Sequence, residues 1–296
     1  MLNKKLNVYI ATLPRSGSTL LGMMLDNHSK VFHMGESFYW KKLNPNSVKC
    51  SCGEVGCEIL THVYNRVNNL SEVNAIYDAC SMIDQIEEPK KIYHKLSLPN
   101  NKRPLGSVNL DYLACKLKLS CIGIETLSNI FRETTGMDII VDNTKSIRTA
   151  EYLVKRKNWK IILLTRDPMG MASSNKNAGA RKKVPRTVAM KIPVYIEFAK
   201  RALRIIGMQN VLHIKYEDLC LNPKVKLGEI CNFINVSFEE KMLAFKFNRG
   251  HTLMGNRMRF NSNDKIKEDL SWMFNLSDKE KKEVYQNKEI VSLFGE

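Results

Sequence analysis

The chain has 296 residues, 44% apolar and 26% charged, with 46 Lys and Arg against 30 Asp and Glu for a net charge of +16. These proportions exclude a disordered, collagen-like or disulfide-scaffold chain and allow one large α/β domain or two modest ones. The charge points to anionic partners: nucleic acid, an acidic membrane face, or phosphorylated and sulfated small molecules.

Residues 1–13 lack the apolar core and cleavage site of a signal peptide. No run approaches the ~18 consecutive apolar residues that span a bilayer, so the expectation is a soluble, cytoplasmic protein. Residues 7–13, NVYIATL, are β-branched and aromatic and predict a strand that breaks at Pro14. From Ser18 the apolar residues Leu20, Leu21, Met23, Met24 and Leu25 predict a helix, with Ser16 or Ser18 as its N-cap. Residues 41 to about 110 are the least patterned and read as an inserted, variable region on the substrate side, the expected acceptor pocket together with loops near 177–195. A helix over about 108–135 leads to a short strand at 139–141. Further strands follow at 160–165 and within NVLHIKYEDL, and a helix over about 223–234. Strands alternating with helices predict right-handed βαβ units: a P-loop-like α/β fold with a mostly parallel sheet flanked by helices, as one domain over 1–296. Ligands of such sheets bind beyond the carboxyl ends of the strands.

The turn PRSGSTLL, residues 14–21, is the strongest chemical signal. A strand ending in a Gly-containing, hydroxyl-rich turn that opens a helix offers backbone N–H groups and the helix dipole to a phosphate, with Ser16, Gly17, Ser18 and Thr19 as walls. The first glycine and the lysine of the nucleoside-triphosphate motif G-x-x-x-x-G-K-[ST] are absent, which disfavours kinase or ATPase chemistry. An ordinary capped helix after a strand is the plainer alternative. The second signal is RDPMGMASS: Arg166 at a strand end and Ser174 eight positions later can give a guanidinium fork and a hydroxyl to one anion. Two such cups on one sheet suit a ligand with two separate phosphates.

Together these residues resemble the sulfotransferases that use 3′-phosphoadenosine 5′-phosphosulfate (PAPS), in particular soluble bacterial-type members related to carbohydrate and tyrosylprotein sulfotransferases. The likeness continues in KYEDL, residues 215–219, and in HTLMGNRMR, residues 251–259, similar to the family's late H-x-x-x-G-N-x-x-R loop. The resemblance implies the sulfotransferase fold and a PAPS-dependent enzyme that transfers a sulfuryl group to an acceptor hydroxyl, or less often an amine, with no metal requirement. It implies that Arg15 faces the bridging oxygen and leaving phosphate, and that Ser16, Gly17, Ser18 and Thr19 hold the 5′-phosphate. Arg166 and Ser174 would hold the 3′-phosphate, Tyr216 would contact the nucleotide, and Arg259 with Arg257 would close over the 3′-phosphate.

Glu36, in VFHMGESFYW, is the candidate general base, on the expectation that the first helix returns the chain to the mouth of the phosphate loop. Related glycan sulfotransferases have a glutamate at the matching position, whereas the tyrosylprotein branch aligns its base onto Ser37. A surface pairing of Glu36 with a lysine is the alternative, and His28 and His33 are rival bases. Asp142 and Lys145, in VDNTKS, sit where ligands gather, and Lys145 is a candidate to neutralise the sulfuryl oxygens. A glycan or glycolipid is the favoured acceptor; a peptide tyrosine or a small alcohol is the alternative.

Cys50, Cys52 and Cys57 in CSCGEVGC invite a metal reading, but structural zinc takes four ligands and the nearest extra donor in sequence is His62. The expectation is no metal, and reduced thiols or a redox-dependent disulfide. Residues 145–186 carry twelve Lys and Arg against two acids, either a field that draws in a polyanion or solvated helix faces. No zinc-finger or RNP-type signature with interleaved aromatics accompanies this charge, so a nucleic-acid binder is the less favoured class.

Overall fold

In β1 (Leu6–Thr12) every residue is buried, because both faces of the strand are covered. Val8 and Ile10 pack into one apolar layer and Tyr9 and Ala11 into the other, the two-residue alternation of a pleated strand. The same division runs through β4 (Trp159–Thr165), with Ile162 and Leu164 on one side and Ile161 and Leu163 on the other. The computed structural model describes residues 5–40, 44–76, 110–181, 187–244, 250–253, 255–260 and 266–294. With β2 (Val31–Gly35), β3 (Ile139–Lys145) and β5 (Val211–Lys215), the strands form one sheet in the order β2-β3-β1-β4-β5. All neighbours are parallel.

Helix α1 (Ser18–Asp26) covers one face with α8 (Pro223–Phe233), supplying Leu21, Met24, Leu227 and Ile230. The other face carries α2 (Glu58–Val67), α3 (Leu110–Thr135), α4 (Ile147–Leu153), α5 (Pro168–Arg181) and α6 (Ile192–Ile205). The carboxyl-terminal α10 (Asp278–Tyr285) and α11 (Lys288–Phe294) join this same layer through Val284, Ile290 and Leu293. The short α7 (Tyr216–Leu221) follows β5 directly, and α9 (Trp272–Asn275) precedes α10. The chain leaves β1 toward the β2 edge and β4 toward the β5 edge, so the crevice of this sheet opens between the carboxyl ends of β1 and β4.

Two expectations are corrected. The first helix does not return the chain to the phosphate loop; α1 runs away from it, and β2, VFHMG, brings the chain back. A five-residue strand containing a histidine and a glycine carries too little β signal to register beside a helix. The N-cap of α1 is neither Ser16 nor Ser18 but Gly17, at φ 84°. Of the variable region, residues 41–43 and 77–109 lie outside the described residues. Its described part includes α2, which packs on α3 through Leu60, Val63 and Val67. Loop residues 182–186 also lie outside. Among the described residues no helix is long and apolar enough to cross a membrane.

Arg132, buried on α3, ties that helix to the start of the sheet. It donates to the Leu6 carbonyl at 3.1 Å, to Asn7 Oδ1 at 2.6 Å and to Asn129 Oδ1 at 2.7 Å. Replacing it by Met strands two of these acceptors in the interior; Arg132→Met is expected to lower the unfolding free energy by about 1.5–3 kcal/mol, read from urea denaturation. At the end of α1, Asp26 accepts from the His33 N–H at 2.7 Å while its second oxygen has no partner among the described residues. Burial pushes its carboxyl up to about 7. The folded chain therefore keeps a proton that the unfolded chain releases near pH ~4, and ionisation destabilises the fold as pH rises from there toward 7. The stability of Asp26→Asn should gain on wild type across that window, measured by urea midpoints at pH 5 and 8.

Candidate active site

Each of the five strands delivers a side chain at its carboxyl end, and because all strands are parallel these ends share one side of the sheet. After β1 the backbone turns sharply: Arg15 and Gly17 both have positive φ, at 78° and 84°. A Cβ on Gly17 would lie 2.3 Å from Tyr216 Cδ2, so only glycine admits the aromatic ring that follows β5. The turn hands over to α1, whose first N–H groups, those of Ser18, Thr19 and Leu20, have no carbonyl within the helix to bond. Such a helix start attracts anions. Ser16 is buried with its hydroxyl on Met171 Sδ at 3.0 Å, and Arg15, Gly17 and Thr19 are half-exposed.

Arg166 follows β4 and is 6% exposed. It donates to the Arg15 carbonyl at 2.9 Å, which locks the second cup onto the first. Its guanidinium lies 4.5 Å over the Tyr216 ring and also donates to Asp269, to the carbonyl at 3.0 Å and to Oδ2 at 3.2 Å. Gly170 admits it: a Cβ there would sit 2.7 Å from Arg166 Nε. Asp269 and Gly170 escaped the sequence reading; the glycine stood inside RDPMG, but nothing in the sequence marked Asp269, about a hundred residues away. Ser174 is half-buried on the second turn of α5. Burial raises the Tyr216 phenol.

Glu36, just past β2, and Lys145, at the end of β3 with φ 77°, form an ion pair with both side chains about five-sixths buried (16% and 15% exposed). Beneath them Ser37 Oγ and Thr144 Oγ1 lie 2.6 Å apart, and Asp142 accepts from the Thr144 N–H. Asp142 is wholly buried, and burial pushes its carboxyl up to about 6. It supports the turn that presents Lys145. His28 precedes β2, at the opposite end of the sheet, against the Ser237 carbonyl at 2.9 Å. His33 is buried with neither ring nitrogen bonded among the described residues, and burial, with the Lys145 charge, depresses it to about 3.

The late loop closes over the turn that follows β1. The Asn256 N–H donates to Thr19 Oγ1 at 3.3 Å. Arg259 is 9% exposed, stacks 4.6 Å over Phe260, and has Nε and Nη1 buried with no acceptor among the described residues. Orphaned donors on a buried cation fit an anion. The Arg257 side chain lies outside the described residues. Part of the basic run at 145–186 is neutralised by acids from other elements, Arg148 by Glu197 and Arg156 by Glu125. Lys155 and Lys157 are solvated.

The cysteine motif departs from the sequence count. Cys50, Cys52 and Cys57 gather around His251, all four ligating atoms within 4.8 Å of one another, while His62 is exposed on α2. The fourth donor comes from 194 residues beyond Cys57. A cavity of about 410 Å³ lies beside the edge strand β2, lined in part by Asp26, Phe32, Ile59 and Met137, away from the crevice between β1 and β4.

The model of the sulfotransferase domain matches residues 5–246. Carbohydrate sulfotransferase 1 from Danio rerio is 21% identical, the alignment covering 93% of this chain and 74% of that protein. Among solved structures, the sulfotransferase domain from the curacin biosynthetic pathway superposes with a TM-score of 0.53 at 19% identity, covering 94% of this chain and 95% of the other. Mouse sulfotransferase SULT7A1, solved with PAP, gives 0.50 at 10% identity, covering 98% and 84%. Parallel sheet and domain match agree, and the chain is an enzyme of the sulfotransferase family.

Proposed function

We propose that this enzyme transfers the sulfuryl group of PAPS to a hydroxyl of a glycan or glycolipid. The observation that carries the donor reading is the hydrogen bond from Arg166 to the Arg15 carbonyl, which couples two anion cups at the ends of adjacent strands. The loop of Ser16, Gly17, Ser18 and Thr19 takes the 5′-phosphate; Arg166, Ser174, Arg257 and Arg259 take the 3′-phosphate, and Tyr216 packs on the nucleotide. The buried, unpartnered donors of Arg259 support an anionic ligand at this place. The donor, when bound, supplies the sulfuryl group and departs as the 3′,5′-bisphosphate.

Glu36 accepts the proton of the acceptor hydroxyl as its oxygen bonds to sulfur and the bond from sulfur to the phosphate oxygen breaks, the electron pair leaving with the phosphate. Arg15 and the N–H groups of the turn meet that developing charge, and Lys145 neutralises the sulfuryl oxygens in flight. The Glu36–Lys145 pair places proton acceptor and cation together next to the phosphate turn. The glutamate after β2 and the carbohydrate sulfotransferase relative support a sugar hydroxyl over a peptide tyrosine or a small alcohol. A cytoplasmic setting suits the six described cysteines, all free thiols.

Arg166→Ala is expected to weaken binding of 3′,5′-bisphosphate by about 1.5–3 kcal/mol, the value of a hydrogen bond to a charged group. Calorimetry reads it, with a melting curve to verify folding, and unchanged affinity removes Arg166 from the donor site. Glu36→Gln should leave bisphosphate affinity intact and slow labelled-sulfate transfer to a glycan acceptor by about 10²–10⁴-fold. Turnover near wild type assigns the base elsewhere.

A further inference from the structure

We propose that Cys50, Cys52, Cys57 and His251 form a structural zinc site that fastens the 50–57 hairpin to the late loop. The donor set is complete: three sulfurs and one imidazole nitrogen, the Cys3His composition of closed structural zinc centres. Zinc with Zn–S near 2.3 Å and Zn–N near 2.0 Å spaces its ligands about 3.5–3.8 Å apart in a tetrahedron. Here His251 Nδ1 lies 3.1 Å from Cys57 Sγ and 4.0 Å from Cys50 Sγ, and no two of the four donors are more than 4.8 Å apart, so the cluster reaches that geometry with shifts of up to about 1 Å.

The scaffold holds the donors in place from both sides. The hairpin is closed by the Lys49–Val55 bridge, by Cys50 N–H to the Glu54 carbonyl at 2.8 Å, and by Gly53 N–H to the Cys50 carbonyl at 3.0 Å. Ser51, between two of the cysteines, grips the residues on either side of His251. Its hydroxyl donates to the Gly250 carbonyl at 2.7 Å and accepts from the Thr252 N–H at 2.8 Å, and its own N–H donates to the Thr252 carbonyl at 3.0 Å. Cys57 is the N-cap of α2, where the helix dipole favours a thiolate. Arg259, whose charge lies close enough to act on Cys50, offers a counter-charge to a site that would otherwise carry one net negative charge.

Binding balances as Zn²⁺ plus three thiols and a neutral imidazole giving the tetrahedral complex and three protons. Cys50 and Cys57 are buried and His251 half-buried, and all four positions are filled by protein, so the metal has no open position for substrate. It is structural, and shares only Arg259 with the residues assigned to the donor.

The test is the metal content of the full chain purified under reducing conditions without chelator. One zinc per chain is expected, and replacement by Co²⁺ should give the intense visible bands of tetrahedral thiolate cobalt. His251→Ala and Cys57→Ser should lose the stoichiometric metal, while His62→Ala keeps it. Should the variants fail to fold, the cobalt spectrum of the wild-type chain alone decides. A wild-type chain with no zinc and no cobalt spectrum, or with a Cys50–Cys57 disulfide, overturns the site; full retention of zinc by His251→Ala overturns the ligand set.

Discussion

The guanidinium of Arg166 holds together the ends of β1, β4 and β5. It reaches the Arg15 carbonyl, rests on Tyr216 and is held by Asp269. A buried cation of this kind must be satisfied on every side, and the planar fork of arginine satisfies several directions at once where lysine would offer a single point charge. The positive φ of Arg15, the glycines at 17 and 170 and the aromatic residue at 216 all accommodate this one group and its stacking partner. The shape of the turn after β1 and the position of Arg166 are therefore a single structural fact.

Much of this was legible because the relevant signals are local. The β-branched run before Pro14, the break into a hydroxyl-rich turn and the apolar helix after it lie within some twenty residues, and the structure has them as β1 and α1. The buried strands β3, β4 and β5 likewise announce themselves as short apolar runs. The strand β2 did not, because it is only five residues long and His33 and Gly35 interrupt its apolar character. What a sequence conceals are partners brought in from far along the chain. Asp269 on Arg166 and His251 beside the cysteines are both of this kind, and a donor count restricted to neighbours in sequence settles on His62, which faces solvent.

The excess of positive charge is likewise partitioned by the fold. Basic residues on α4 and in the turn after it are spent on Glu197 and Glu125, while Arg15, Lys145 and Arg166 stand at the carboxyl ends of strands. Arg259 is buried with donors to spare, and Lys145 meets a carboxylate placed by a different strand. The net +16 thus says less about ligand binding than these few cations, since solvated charges are screened over about 8–10 Å at physiological salt and buried ones are not.

Sheet order gives one of the crossovers an unusual freedom. The chain between β2 and β3 spans residues 36–138, far more than any other link between strands; it leaves the sheet at Glu36, beside the Glu36–Lys145 pair, and re-enters at the amino end of β3. Length added to such a link costs little closure entropy, growing only with the logarithm of its size. This one excursion can therefore be lengthened or rewritten while the central strands keep their order and register.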